Sequence, residues 1–395
     1  MNGQAADRPV RGVSSLFMTH PGLLAMMFFL LIAVINRQIE LIVLCILTLA
    51  IAGCARLWAA FSGRNMEFSA RLSPQKTFPE EEVSLEISCE NKKLLPVSVR
   101  VVVPVDKGPG PETGDVLNGE SGLLSYEEAS FSWRFSAGYR GVYDVGPVEK
   151  VTGDLFGFFD REFQTGEKLE LIVYPRILPV RPLEILRREF FGAPGVKSPV
   201  NDPVYIMGTR EYLGGRPAKY IHWKASARHN KLQEKIFEPT EQEKVLFLID
   251  AAGYVRENAR PEFEKMLEGV ASFAAGLDRR GVSFGLVANC LMRPAGLPVL
   301  PVAYSRDQLP RLLETAARMK MEAASGLPDI LGGIILPAGI SCVFFSLYRD
   351  HLCEVFSEHF KDKKVPFMPV ISRPAGSGGA GKGPGTVIDI NEVFL

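Results

Sequence analysis

Two apolar stretches near the N-terminus constrain this chain more than any other feature. Pro21–Ile35 and Ile39–Leu57 consist mostly of apolar residues and are separated by the polar Asn36–Gln38. A helix needs about 20 residues to cross the hydrocarbon core of a bilayer. Because lipid offers the backbone no hydrogen-bond partners, a segment inside it must be helical. The pattern therefore predicts a transmembrane helical hairpin over residues 16–61, after an N-terminal tail of residues 1–15.

The arginines around this hairpin indicate its orientation. Between the two stretches there is only Arg37, followed closely by Glu40. Basic residues next to a membrane span tend to stay in the cytoplasm. We therefore expect both ends of the hairpin, and residues 66–395 as a tethered body, to lie on the cytoplasmic side. The arginines that flank the hairpin at its two ends are Arg8, Arg11, Arg56 and Arg64.

Two other interpretations of the apolar segment are possible. A cleaved signal peptide is disfavoured, because the first stretch is followed by polar residues and not by small ones. Ile51-Ala52-Gly53-Cys54 resembles a bacterial lipobox, which would lipidate Cys54 and place the body outside the cell. Its distance from the N-terminus favours instead the packing of small residues between helices.

The next segment, residues 66–180, shows the patterns of β-strands. Apolar residues alternate with polar ones, and clusters of Pro, Gly and Asn bound the runs. This period of two predicts an antiparallel β-sandwich with one buried face per sheet. The alternating apolar positions include Val83, Leu85, Ile87, Cys89, Val97, Val99, Val101, Val103, Phe131, Trp133 and Phe135.

Residues 245–372 change character and alternate between strand and helix patterns. Such alternation predicts βαβ units, in which a parallel sheet carries helices on both faces. We therefore expect a separate α/β domain, followed by a Gly-rich linker and tail over residues 373–395. The predicted strands are Val245–Ile249, Val282–Ala288, Ile340–Leu347 and Val365–Ile371, and the predicted helices are Pro261–Arg280, Arg306–Ala324 and Asp350–Lys361.

Between these modules, residues 181–244 form a connecting segment with a dense basic and aromatic signature. From Arg210 to Lys235 there are seven Lys and Arg residues but only two acids, although the whole chain has 45 basic and 45 acidic residues. The overall neutrality disfavours nucleic acid as a partner. Three interpretations remain open: structural packing and ion pairs, a protein-partner surface, or a site for a small anion or nucleic acid built from Arg forks and stacked aromatics. The candidate partner-binding residues are Arg210, Glu211, Tyr212, Gly215, His222, Trp223, Lys224, Ser226 and Arg228.

The run from Arg210-Glu211-Tyr212 through Gly215 to Ile221-His222-Trp223-Lys224-Ala225-Ser226-Ala227-Arg228 resembles the signature of the domain-of-unknown-function family 58. Upstream, Tyr139–Tyr143, Asp154–Gly157 and Val173–Pro175 carry the resemblance further, and Leu248–Asp250 does so downstream. Nearly the whole chain is covered. The resemblance implies a bacterial, multi-pass protein of the inner (cytoplasmic) membrane with a von Willebrand factor A-like region. It also implies a MoxR-type AAA+ ATPase as partner.

The chain departs from that family pattern at two places. An acid usually follows the glycine of the signature, but here Gly215 precedes Arg216. Von Willebrand A domains can hold magnesium through Asp-x-Ser-x-Ser after the first strand, whereas here Asp250 is followed by Ala252 and Tyr254 at the serine positions. Neither can supply a serine-type hydroxyl ligand. We therefore expect a degenerate site at Asp250 with no bound metal, and we expect no cofactor.

An enzyme is the main alternative to an interaction protein. A hydrolase could use His222 with Ser226 or Asp250, although no Gly-x-Ser-x-Gly motif introduces a nucleophile. His351, Glu354, Glu358 and His359 also cluster on one predicted helix, where a solvated polar face is the ordinary explanation. We expect a membrane-anchored scaffold that works with the ATPase in the assembly or maturation of membrane or secreted clients.

Overall fold

The structure, a computed structural model, divides into two compact units, Met1–Tyr174 and Pro175–Leu395. The division falls a few residues before the end predicted for the β-sandwich. Each unit is described by itself. The structure describes residues 9–14, 20–63, 65–105, 116–154, 159–164, 168–181, 201–212, 218–239, 244–324, 326–334, 336–337, 339–363, 365–373 and 388–394.

The first unit contains two apolar helices near its N-terminus, α1 (His20–Ile35) and α2 (Ile39–Ser62). The turn between them, Asn36–Gln38, places Arg37 in the left-handed region with φ of 52°. Within the described residues, α2 is the one helix that is long and apolar enough to cross a membrane, by length and composition. With 16 residues, α1 is shorter than a span requires. The prediction of two spans therefore stays a prediction.

The strands of the first unit form three sheets around one apolar core. Their orders are β1-β10-β9-β5-β6, β2-β4-β7 and β3-β11-β8, and every pairing is antiparallel except that of β3 with β11. The strands are β1 (Pro9–Ser14), β2 (Met66–Ser73), β3 (Lys76–Thr77), β4 (Glu82–Asn91), β5 (Val97–Pro104), β6 (Val116–Leu123), β7 (Glu128–Ser136), β8 (Gly141–Val145), β9 (Glu149–Gly153), β10 (Phe159–Gln164) and β11 (Leu169–Val173).

The alternation seen in the sequence becomes the buried face of these sheets. Val83, Leu85 and Ile87 of β4 are at most 1% exposed, as are the odd-numbered valines of β5. Strand β1 lies in the segment predicted as an N-terminal tail, residues 1–15. It pairs antiparallel with β10, which the sequence did not suggest. The chain therefore leaves the sheets of this unit after β1 and returns to them at β2.

The second unit contains a two-stranded ribbon and an α/β sheet. The ribbon pairs β12 with β13, and β16 pairs with β18 in a second small sheet. The strands are β12 (Asn201–Glu211), β13 (Gln233–Pro239), β14 (Lys244–Ile249), β15 (Ser283–Ala288), β16 (Cys290–Met292), β17 (Val299–Ala303), β18 (Met319–Ala323), β19 (Ile340–Ser346), β20 (Phe367–Ile371) and β21 (Ile388–Asp389). The helices are α3 (Trp223–His229), α4 (Ala252–Arg256), α5 (Arg260–Asp278), α6 (Gln308–Arg318), α7 (Leu327–Gly332), α8 (His351–Asp362) and α9 (Ile390–Val393).

The large sheet has the order β17-β15-β14-β19-β20-β21, parallel except for the edge strand β17. Its two faces are covered by separate apolar clusters. Val245, Phe247 and Ile249 of β14 pack in the cluster that includes α5, while Leu246 and Leu248 pack in the cluster that includes α8. The predicted alternation of parallel strands with helices on both faces is confirmed.

Two predictions for this unit are wrong in part. The helix predicted over Arg306–Ala324 ends at Arg318, because the next five residues form β18 and pair with β16. The end of the predicted Gly-rich tail belongs to the fold: Ile388, Ile390 and Val393 are buried, and β21 extends the sheet beside β20. The Gly-rich stretch itself lies outside the described residues.

Candidate functional site

The basic and aromatic signature is built on the ribbon and on the short helix α3. Arg210 of β12 lies opposite Glu234 of β13, and Glu211 lies opposite Gln233. Helix α3 precedes β13 and ends at Asn230, whose φ of 50° is left-handed. Asparagine tolerates that conformation better than most residues, which explains why the helix stops there. Gly215, a predicted site residue, lies outside the described residues.

The Ser226 hydroxyl forms hydrogen bonds with backbone groups of this motif. Its hydroxyl donates a hydrogen bond of 3.0 Å to the carbonyl oxygen of His222 and accepts one of 2.8 Å from the backbone N–H of Gln233. The side chain is buried at 9% exposure. With both bonds directed at main-chain groups, the hydroxyl ties α3 to β13.

His222 is the residue that caps α3. Its ring Nδ1 accepts a hydrogen bond of 3.1 Å from the backbone N–H of Ala225, which satisfies one of the free donors at the helix start. Its own backbone N–H donates to the carbonyl of Gln233 over 2.7 Å. A general base would need a ring nitrogen within reach of the nucleophile's proton. In the structure the Ser226 hydroxyl bonds to the His222 carbonyl and not to the imidazole.

Two ion pairs hold the ribbon side of the signature. Arg210 Nε donates to Glu234 Oε1, and the Glu234 side chain is only 5% exposed. Because removal of one partner of a buried ion pair is destabilising, Arg210 has a structural role. On the surface, Lys231 lies 3.2 Å from Glu211. The backbone N–H of Tyr212 donates to the carbonyl of Leu232 over 2.8 Å, which continues the ribbon beyond its last paired strand residue.

The remaining members of the signature point to solvent. The Trp223 side chain is 66% exposed, although indoles usually bury much of their surface. Lys224 and Arg228, on the same helix, are also exposed. The motif therefore has a structural half (Arg210, His222 and Ser226) and an exposed half, Trp223, Lys224 and Arg228, which we call the α3 surface.

Asp250 lies at the end of β14, where the family resemblance placed a degenerate metal site. Its Oδ1 accepts a hydrogen bond of 2.6 Å from Asn289 Nδ2 and one of 3.3 Å from the backbone N–H of Ala252. Burial raises the pKa of this carboxyl, while the amide bond from Asn289 acts against that rise. The hydroxyl of Tyr254 lies 2.6 Å from Ser372 Oγ inside the core. The tyrosine oxygen is thus occupied away from the carboxylate.

Helix α8 offers no stronger site. His351, Glu354, Glu358 and His359 are all exposed on α8. In the part of the chain that the structure describes, no group of three or more His, Cys, Asp or Glu side chains could hold a metal ion. These residues form the solvated polar face that their spacing suggested.

Three residues of these sites were not singled out from the sequence. Glu234 and Gln233 complete the signature, and Asn289 holds Asp250. Asn289 follows β15 directly, and the carboxyl ends of neighbouring parallel strands meet at one edge of a sheet. That rule could have found it. The two β13 residues had no such signal, because their role depends on ribbon register.

Comparisons with known proteins add little to this geometry. No family model matches the chain, and no curated protein matches it. Among solved structures, a β-glucosidase from Listeria innocua in complex with glucose is 13% identical over 27% of this chain and 16% of that chain, with a TM-score of 0.19. A CARDB domain from Pyrococcus furiosus, solved with di-metal ions, is 13% identical over 28% of this chain and 90% of its own, with a TM-score of 0.20. A human PapD-like domain is 19% identical over 25% of this chain and 81% of its own, with a TM-score of 0.18. At such scores none of them informs fold or function.

Proposed function

We propose that this chain is a membrane-anchored interaction protein of the domain-of-unknown-function family 58, whose α3 surface binds a MoxR-type AAA+ ATPase. Its role would be the assembly or maturation of membrane or secreted clients. The observation that carries the proposal is that the signature divides into residues with a structural role and residues exposed to solvent. Three members hold the motif together, while an exposed indole and two exposed cations face outward from one short helix.

An exposed Trp beside Lys and Arg has the chemistry of a protein-binding hot spot. Trp and Arg are enriched among the residues that contribute most to interface affinity, and Lys adds charge. The cations favour a partner surface that carries carboxylates. A surface built for solvent alone would not need to leave a large indole 66% exposed.

The membrane anchor rests on α2, supported by the path of the chain. Both β1, before α1, and β2, after α2, belong to the first unit. Two consecutive helices between two strands of the same unit suit a hairpin that enters the bilayer from one side. The arginine distribution favours the cytoplasmic side of the bacterial inner membrane for that unit.

The second unit supports a von Willebrand A-like module without a metal. Its sheet is parallel with one antiparallel edge, and Asp250 lies at the carboxyl end of β14. The position where a ligand would bind such a sheet is the crevice at the ends of neighbouring strands. There Asn289, the residue after β15, donates a hydrogen bond to Asp250 Oδ1. The hydrolase alternative is disfavoured, because the Ser226 hydroxyl and the His222 Nδ1 are hydrogen-bonded to backbone groups.

Affinity capture tests the proposal. Full-length protein in detergent should co-purify a MoxR-type AAA+ ATPase, and the Trp223→Ala/Arg228→Glu variant should lose that ATPase. Lys361→Glu, a charge reversal at an exposed position of α8, serves as the matched control and should retain it. Equal recovery with the double variant would reject the α3 surface as the binding site.

A further inference from the structure

The end of α2 is hydrogen-bonded to one loop of the β-sandwich, residues 92–96. The Trp58 indole Nε1 donates a hydrogen bond of 2.7 Å to the carbonyl of Pro96. Lys93 Nζ donates to the carbonyl of Phe61 over 3.1 Å and also to that of Ser62, so an ammonium group caps the helix C-terminus. Cations are favoured there because the last carbonyls are unpaired and carry partial negative charge.

A second loop is held against the first by Asn91. The side-chain Nδ2 of this fully buried residue donates to the carbonyls of Leu95, over 3.0 Å, and Leu124, over 2.7 Å. Its backbone N–H donates to the carbonyl of Glu127 over 2.9 Å. Loops 92–96 and 124–127 therefore form one rigid end of the sandwich, directly beside the last turn of α2.

Three large side chains with apolar surface are exposed together at this end. Leu94 is 76% exposed, Leu124 59% and Tyr126 66%. The carbonyl of Leu94 accepts a hydrogen bond from Ser125 Oγ, so the two loop tips adjoin. We call Leu94, Leu124 and Tyr126 the interfacial patch.

The length of α2 places this patch relative to a bilayer. Its 24 residues begin at Ile39, and about 20 residues cross the hydrocarbon core, so the core would end near Trp58. At 1.5 Å per residue, the final turn to Ser62 extends about 6 Å further. The headgroup region is of similar depth, about 5–7 Å on each side. Loop 92–96, which is bonded to Trp58 and Ser62, and loop 124–127 beside it would then lie at headgroup level.

We propose that the interfacial patch inserts into the lipid headgroup region of the membrane that α2 enters. Leucine side chains and a tyrosine ring with a polar tip suit that layer. We take the occupant to be lipid and not a second protein, because loop 92–96 is bonded to the last turn of α2, and that part of α2 also exposes apolar side chains, with Leu57 64% and Phe61 45% exposed. This inference rests on the proposed membrane insertion of α2.

Fluorescence quenching in vesicles tests the proposal. The full chain in a Cys54→Ser background would carry Leu94→Cys or Tyr126→Cys, each labelled with an environment-sensitive dye. Tyr139→Cys is the matched control, since Tyr139 is also exposed but follows β7 at the opposite end of its pairing with β4. Strands of this length separate the two ends by about 30 Å.

Lipids with a nitroxide just below the headgroup should quench the dye at positions 94 and 126 by about twofold, and leave position 139 unchanged, because only the first two lie in the headgroup layer. Vesicle flotation and a label on the native Cys54 report the anchor separately. If the protein floats and Cys54 is quenched but positions 94 and 126 are not, the patch proposal is wrong and the anchor stands. If the protein does not float, both are wrong. A blue shift at 94 or 126 that depends on protein concentration, without lipid quenching, would assign the patch to a second copy and overturn the proposal.

Discussion

The side-chain amide of Asn289 lies 2.6 Å from the carboxylate of Asp250, and the two residues end the neighbouring parallel strands β15 and β14. Asn289 Oδ1 also accepts a hydrogen bond of 2.6 Å from the backbone N–H of Ala251. One asparagine thus connects the ends of two strands in the crevice where α/β sheets commonly bind ligands.

Asn289→Ala should lower the free energy of unfolding of the second unit by about 2 kcal/mol or more, because two buried polar groups lose a partner. Pulse proteolysis over a series of urea concentrations measures this free energy of unfolding. Lys320→Ala, at an exposed position of the same unit, should stay within about 0.5 kcal/mol of the wild type. An unchanged stability in Asn289→Ala would show that the amide does not hold the carboxylate in solution.

Asp250→Asn should be tolerated, since the new amide oxygen can accept the same two hydrogen bonds. Burial raises the pKa of Asp250. A raised folded pKa means that the folded state binds more protons, so wild-type stability falls as pH rises from about 4 to the folded pKa, and the loss persists above it. The variant should lack this fall and equal or exceed the wild type at pH 7. Asp250→Ala, which lacks the acceptor, should be less stable than both. A large loss in Asp250→Asn would indicate a role for the charge.

Ser226→Ala should destabilise the second unit by about 1–3 kcal/mol, since the N–H of Gln233 would lose its partner in a buried position. Ser357→Ala, an exposed serine on α8, is the matched control and should have little effect. A fluorophosphonate probe should label neither protein. Labelling that requires Ser226, with unchanged stability in the variant, would instead favour the hydrolase.

Buried and exposed cysteines should differ in reactivity. Cys342 and Cys353 are buried free thiols, and burial raises their pKa values to about 12 and about 11. They should stay unreactive until the protein unfolds.

Cys54 is exposed on α2 in the absence of lipid. If α2 crosses the bilayer, a membrane-impermeant maleimide should label Cys54 in detergent but not in sealed vesicles. Labelling in vesicles, or a lipid attached to Cys54, would contradict the proposed span.

Periodicity predicted much of the fold because it reports directly on burial. The run Val245–Ile249 and the spacing of Pro261–Arg280 each correspond to an element within two residues. The error at Met319–Ala323 has a physical reason: its pairing with β16 is a long-range contact that overrides a helical pattern. For the same reason the place of Ile388 in the sheet could not be predicted from the Gly-rich residues before it.

The sequence predicted which residues make up the candidate site, but not which of them are structural and which are exposed. Arg210 and Arg228 look equivalent in the sequence, yet Arg210 pairs with the buried Glu234 and Arg228 is exposed. Which arginine is structural depends on the register of β12 with β13. Reversing both charges would therefore confuse folding with binding.

The affinity of full-length protein for the purified ATPase tests the central claim most directly. Truncating a Trp hot spot costs at least about 2 kcal/mol, so Trp223→Ala should weaken binding by about 30-fold. Arg228→Glu should weaken it further, and Lys361→Glu should leave it unchanged. An affinity that is the same in Trp223→Ala/Arg228→Glu as in the wild type would contradict the account.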